Sequence, residues 1–196
     1  SICGTYRMEN SMESRFAVRV DSSGEKKIRR DDKPYPRVSA HIGVLPVVMV
    51  SPEDISLVSE SGEERRRFTN SVLSQMDREY LSALQQYNRL LLQRNKMLKS
   101  PQVDMDLLSV LDSRMQAYAE PVYRARSRFA SDIRPVVSEF YGALSGGSEK
   151  VDVRYRSDLD KGSLEDLLKA SSEKDRILKY TTAGVHRDDF EFTMDG

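Results

Sequence analysis

The side chains best equipped for chemistry cluster near the end of the chain, in Thr181-Thr182-Ala183-Gly184-Val185-His186-Arg187-Asp188-Asp189-Phe190-Glu191-Phe192. An imidazole beside carboxylates can ligate zinc or manganese. Along an alternating strand, however, His186 and Asp188 share one face and Asp189 and Glu191 the other, so no more than two or three converge without help from elsewhere. A second reading is structural: a turn in which Arg187 and Asp188 satisfy the main chain and each other. His186-Arg187-Asp188 also copies the catalytic triplet of protein kinases. That chemistry needs a magnesium-binding Asn five residues after the Asp, where Thr193 stands, and the chain has no Gly-rich loop or DFG.

Leu144-Ser145-Gly146-Gly147 copies the signature tetrapeptide of ABC-type ATPases, whose amides meet a γ-phosphate at a helix start. Here it lies at the end of a helical stripe, where paired glycines terminate helices. No GxxxxGK[ST] loop and no strand ending in paired acids accompany it, so the chain alone is expected neither to cradle phosphates nor to hydrolyse ATP. Nucleophile patterns are missing too: there is no GxSxG, Cys3 stands alone, and His41 and His186 are the two histidines.

Lys26, Lys27, Arg29 and Arg30, followed by Lys33 and Arg37, form the densest basic cluster. Phosphate contact is one reading, since Lys and Arg release counterions from DNA without any sequence code; a charged sheet edge that blocks edge-to-edge pairing is the other. Arg65-Arg66-Arg67 spans too much of a helix's circumference for all three to face one partner, and is expected to be mixed surface with one buried ion pair. Arg94 interrupts an apolar stripe; its stem is expected to lie along the seam with its head in solvent. Arg124, Arg126, Arg128 and Arg134 add a basic stretch, of which Arg124 and Arg128 share a face and are the expected DNA-facing pair.

Lys plus Arg equal Asp plus Glu at 31 each, so no long-range field makes the whole chain a polyanion binder, and any DNA contact must come from local patches. One cysteine excludes an internal disulfide framework and a Cys-based zinc site. No apolar run approaches the ~20 residues of a membrane helix, no secretory signal is visible, and a reducing cytoplasm fits. The absent initiating Met, and an Asp195-Gly196 dipeptide that would turn a strand into a hairpin partner, lead us to expect a piece of a longer protein.

The elements that must position these residues fall into two kinds. Ile2 to Met8, the alternation of Phe16, Val18 and Val20, the turn Asp21-Ser22-Ser23-Gly24, and Lys26 to Arg30 read as an antiparallel meander. Val47-Val48-Met49-Val50 reads as a strand buried on both faces. From Ser51-Pro52-Glu53-Asp54 the period becomes helical, and Ser61 with Glu64 starts a second helix carrying Phe68, Val72 and Met76. Asp77 caps a third helix through Lys99, striped by Leu84, Tyr87, Leu91 and Leu98. A longer stripe runs through Leu108, Leu111, Met115, Tyr118, Val122, Ala125, Phe129, Ile133, Val136, Phe140 and Leu144, giving an antiparallel helical hairpin. Pro121 and Pro135 should bend it or split it into abutting helices. Val151, Val153 and Tyr155 form a strand, Ser163 with Asp166 caps a helix to about Lys179, and Gly184 opens a strand with Phe190, Phe192 and Met194 on one face. The class is α+β: a mixed sheet from which a helical arm is inserted. The boundaries are 1–50 for a β-rich lobe, 51–147 for the arm, 148–180 for a strand and helix completing it, and 181–196 for the return strand.

Three stretches, Leu45 to Phe68, Asp77 to Lys99 and Thr181 to Phe192, resemble the RecF family of DNA replication and repair proteins in order and spacing. Val185 stands where that family usually has Pro, and residues before Leu45 match it poorly. The resemblance implies the outer part of an ABC-ATPase-like lobe with its helical arm, and makes a nucleotide-proximal role plausible for His186, Arg187 and Asp188. For the intact protein it implies ATP and magnesium as cofactors, weak ATPase activity and ATP-dependent homodimerisation. It also implies binding to gapped or junction DNA, partnership with RecO and RecR, and no membrane. The DNA candidates are Lys26, Lys27, Arg29, Arg30, Arg124 and Arg128, with no catalytic or metal-ligating residue. A non-enzymatic coiled-coil scaffold is the alternative.

Overall fold

A computed structural model describes residues 1–7 and 12–195, with Glu53 described by its main chain alone. The end of the expected first strand at Met8, and Gly196 of the expected terminal turn, lie outside the described residues. The chain divides into two units, Ser1–Val48 and Met49–Gly196.

In the first unit β1 (Ile2–Arg7), β2 (Glu13–Val20), β3 (Lys26–Arg30) and β4 (Lys33–Pro34) form an antiparallel meander in chain order. Its β2–β3 turn is set by Asp21, whose carboxylate accepts from the Ser23 and Glu25 amides, and by Gly24 at φ 83°. One sheet face buries Ser14, Phe16 and Ile28, and a helical turn at Val38–His41 lays the His41 ring 5.3 Å from Phe16 and 5.4 Å from Tyr35. The run Val47–Val50 is not a buried strand. It has no regular structure and its side chains are 66–84% exposed, because a four-residue apolar run becomes a strand only where a neighbouring strand offers its ladder.

The second unit begins with a turn at Pro52–Ile55 and α1 (Ser56–Ser59), then α2 (Gly62–Met76), α3 (Arg78–Leu98), α4 (Met105–Leu144), β5 (Val151–Arg156), α5 (Leu164–Leu178) and β6 (Asp189–Met194). The caps are those the sequence offers. Ser61, Asp77, Asp104 and Ser163 each accept a first-turn amide with the side chain, satisfying donors that a helix end leaves free. Antiparallel packing of α3 on α4 forms the arm, around Tyr80, Leu84, Tyr87, Leu90, Leu111, Met115 and Val122.

The buried stripe drifts from the one expected. On α2 it follows Thr69 and Leu73, leaving Phe68 and Met76 exposed; on α3 it takes Leu90, with Leu91 half-buried; on α4 it continues through Ala119, Arg126 and Ala130. Val136, Phe140 and Leu144 stay exposed. A helix of 3.6 residues per turn rotates its face steadily, and the next apolar residue is not always the next inward one. Pro121 and Pro135 lie inside α4 without splitting it into abutting helices. Both are exposed, as are Ala117 and Ser131, whose carbonyls they leave unpaired, so water can satisfy the lost bonds. Gly146 and Gly147, at φ 64° and 77°, end the helix, and the Gly147 amide bonds to the Gly142 carbonyl at 2.8 Å, so Leu144-Ser145-Gly146-Gly147 is a C-terminal stop.

The single mixed sheet is also corrected. Among the described residues β6 pairs antiparallel with β5 in a two-stranded sheet of its own, packed against α4.

Candidate functional site

Thr181 to Asp189 is held by polar contacts from α2, α3, α4, β5 and α5. Gly184, at φ 121°, is required twice over, since a Cβ there would lie 2.6 Å from the Tyr87 hydroxyl and 2.8 Å from Leu164. His186 Nε2 meets the Thr181 carbonyl at 3.1 Å and must donate to it, which leaves Nδ1 to accept from the Tyr87 hydroxyl at 2.8 Å. Burial lowers the His186 pKa to about 4, so the ring is neutral near pH 7. Arg126 is 1% exposed and donates to the Val185 carbonyl (2.6 Å), the Asp188 carboxylate (2.9 Å) and Asn70 Oδ1 (3.0 Å). Asp188 also accepts from the Tyr155 hydroxyl; burial pushes its carboxyl up, and the bonds from Tyr155 and Arg126 oppose that.

Asp189 points elsewhere, into a bidentate pair with Arg65 at 2.8 and 3.0 Å. Burial would raise its pKa, but the Arg65 fork outweighs burial and holds it below the usual carboxylate range. Gly62 makes room for this pair, since a Cβ there would sit 2.7 Å from the Asp189 carboxylate. Arg67 pairs with Glu64 at 3.0 Å and Glu63 at 3.8 Å, while Arg66 donates to the Asp188 carbonyl at 2.6 Å. The three arginines thus face different partners. His186 has both ring nitrogens engaged within the fold, and Asp188 engages Oδ2 while its buried Oδ1 has no hydrogen-bond partner among the described residues; of the nucleotide-proximal candidates Arg187 alone is exposed. Among the described residues no three His, Cys, Asp or Glu side chains are placed to hold one metal ion.

Arg94 corrects the expectation of a solvent-reaching head. It is 0% exposed and bonds to Asp112 (2.6 Å), Asp175 (2.6 Å) and Thr181 (2.9 Å). Asp175 in turn accepts from the Thr182 amide and hydroxyl, fixing the start of the loop to α5. Two buried arginines therefore grip the two ends of one segment, and neither is available to DNA.

The basic candidates separate by face. On β3, Lys26 and Arg30 share the side of buried Ile28, and Arg30 lies 5.7 Å from the Phe16 ring centre, near Ser14 Oγ at 3.2 Å. Lys27 and Arg29 project from the opposite face, where register sets Arg19 directly opposite Lys27 and Ala17 opposite Arg29, with Arg15 two residues further along β2. Arg15, Arg19, Lys27 and Arg29 are exposed; among the described residues the one ion pair made by their side chains is that of Lys27 with Glu25 at 3.4 Å, while Asp31 accepts from the Arg15 main-chain amide at 2.8 Å. Like charges directly opposite destabilise a sheet, so this face is not arranged for stability. Arg15 and Arg19 were visible in the sequence as the outward half of the Phe16 alternation but were not counted with the β3 cluster. On the arm, Arg124 and Arg128 are exposed but matched by Glu120 at 2.7 Å and Asp132 at 3.8 Å, and Arg134 by Asp152 at 2.5 Å.

No family model matches the chain. It is 40% identical over 193 residues to "DNA replication and repair protein RecF" of Parabacteroides distasonis, covering 98% of this chain and 53% of that protein. It is 44% identical over 194 residues to the protein of that name from Porphyromonas gingivalis, with the same coverage. The fold matches the recombination mediator protein RecF with ATP, of the RecFOR pathway, at TM-score 0.89 and 25% identity, over 99% of this chain and 55% of that one. The chain spans about half the length of the relatives it matches.

Proposed function

We propose that the chain, similar to RecF proteins over nearly its whole length, is a piece of a RecF-family protein and contributes a DNA-contacting β face and a helical arm to a recombination mediator. One observation carries the DNA part. In a chain of zero formal net charge, four exposed cations, Arg15, Arg19, Lys27 and Arg29, share one sheet face with little carboxylate to neutralise them. Such a face meets phosphates without reading bases, which suits a protein that acts at gaps or junctions rather than at a sequence.

The names of the relatives support DNA replication and repair as the setting, with RecO and RecR as partners of the intact protein, and an ATP-bound relative supports ATP as its ligand; magnesium beside the ATP belongs to the proposal alone. On this reading ATP binding and weak hydrolysis belong to the intact protein, ATP drives its homodimerisation, and its compartment is the cytoplasm. Among the described residues no helix is long and apolar enough to cross a membrane. Of the proposed nucleotide-proximal residues, Arg187 is the one with a side chain free to approach a phosphate.

The test is duplex binding by fluorescence anisotropy for the chain and for Arg19→Glu with Lys27→Glu, which remove the facing pair. Affinity is expected to fall about tenfold or more, with circular dichroism unchanged, because two phosphate contacts become two repulsions. Unchanged affinity in a folded double variant would move the DNA surface off the meander.

A further inference from the structure

Where α2, α3, α4 and the Val185–His186 turn meet, they leave an open cavity of about 460 Å³ whose polar wall includes Arg66, Asn70, Asn88 and the mutually paired Glu63 and Arg67. Arg66 differs from its neighbours in the run. Arg65 has Asp189 and Arg67 has Glu63 and Glu64, whereas among the described residues Arg66 has a carbonyl, that of Asp188, and no carboxylate within ion-pair distance. One Nη1 bond leaves the rest of its guanidinium fork without a carboxylate to bind. Half-burial lowers the Arg66 pKa, and the positive charges of Arg126 and Arg187 act in the same direction, outweighing the negative charges of Asp189 and Glu63. The buried Asp188 pairs with Arg126 through Oδ2.

Asn70 is oriented by the same network. Its Oδ1 accepts from the Tyr80 hydroxyl at 2.6 Å and from Arg126 at 3.0 Å, so its amide nitrogen is left as the donor end. His186 adds no charge, since both ring nitrogens are engaged and the ring is neutral.

We propose that this cavity is a phosphate-binding site in which the free fork of Arg66 and the amide of Asn70 hold the oxyanion, with Asn88 at the rim. The chemistry is that of a phosphate group. Its source is either a nucleoside triphosphate or a backbone phosphate of DNA. The site lies on the helical unit and does not depend on DNA contact by the meander.

Isothermal titration of the chain with inorganic phosphate, ATP and a short duplex tests it, alongside Arg66→Gln and Asn88→Asp. Arg66→Gln removes the charge-assisted bonds. Asn88→Asp puts a negative charge at an exposed rim position without touching the buried network. Saturable phosphate binding that each variant weakens about tenfold supports the site, since a hydrogen bond to a charged group is worth that factor or more. Tighter binding of ATP than of phosphate, lost in both variants, identifies the source as nucleotide. Duplex affinity lowered by Asn88→Asp but intact for ATP identifies it as DNA. Absence of saturable phosphate binding, or binding that Asn88→Asp leaves unchanged in a folded variant, overturns the proposal. Charge reversal on the meander should leave phosphate affinity unaltered, so failure of either reading is read separately.

Discussion

In the helical unit Arg94 and Arg126 are withdrawn from solvent, Arg94 on Asp112 and Asp175 and Arg126 on Asp188, whereas in the meander the side chains of Arg15, Arg19 and Arg29 stand exposed and form no ion pair among the described residues. The residue type is the same and the consequence is opposite. A buried guanidinium whose donors are all taken fixes the geometry of a loop. An exposed, unmatched one adds little to stability and remains available to a polyanion. What separates the two is the placement of Asp112, Asp175 and Asp188, so charge density along the sequence is a poor guide to which cations can act on a partner.

The contrast breaks most visibly at Arg126. Arg126→Met leaves Asp188 buried without its cation and is expected to cost about 3–5 kcal/mol in urea unfolding. A loss below ~1 kcal/mol would mean that the pair is wet or relaxes freely. Next in size is the seam: Leu90→Ala is expected to cost about 2–5 kcal/mol and Leu91→Ala less than half as much, because Leu90 is 3% exposed and Leu91 only half-buried. Equal losses would return the seam to the register the periodicity suggested.

His186 gives a pH signature confined to the helical unit. Its folded pKa, about 4, lies below the usual 6.5, so above pH 6.5 both folded and unfolded forms are neutral and stability is full. As pH falls from 6.5 towards 4 the unfolded chain takes up a proton that the folded chain refuses, and stability drops by at most about 1.4 kcal/mol per pH unit. His186→Gln should remove that part of the slope, measured by denaturant midpoints across the range; a variant with the same slope would place the ring in solvent. The smallest effect belongs to the meander, where Arg29→Met is expected to change stability by no more than about 0.5 kcal/mol.

Much of this was legible locally. Ser61, Asp77 and Ser163 announced helix starts because a cap works within three residues, and Gly146-Gly147 announced a stop for the same reason. The meander followed from the alternation of Phe16 with Arg15 and Arg19. What the sequence concealed was set at long range. Arg94 looked like a snorkelling seam residue because Asp175, 81 residues away, is brought to it by α5. Arg126 looked like one more surface arginine because its partner Asp188 is 62 residues away. Val47–Val50 looked like a core strand because composition alone cannot say whether a neighbouring ladder exists. The family likeness located the arm and the return segment, but charge alone could not choose between the two faces of β3, which required the register of β2.

The salt dependence of duplex binding in Arg29→Gln and Arg124→Gln distinguishes cations on the meander's outer face from those on the arm. Log affinity against log salt should become shallower by about 0.9 for Arg29→Gln, which removes one phosphate contact, and stay unchanged for Arg124→Gln, whose charge Glu120 already matches at 2.7 Å. A slope that flattens for Arg124→Gln and not for Arg29→Gln would contradict the proposed DNA-contacting β face and place the DNA on the arm.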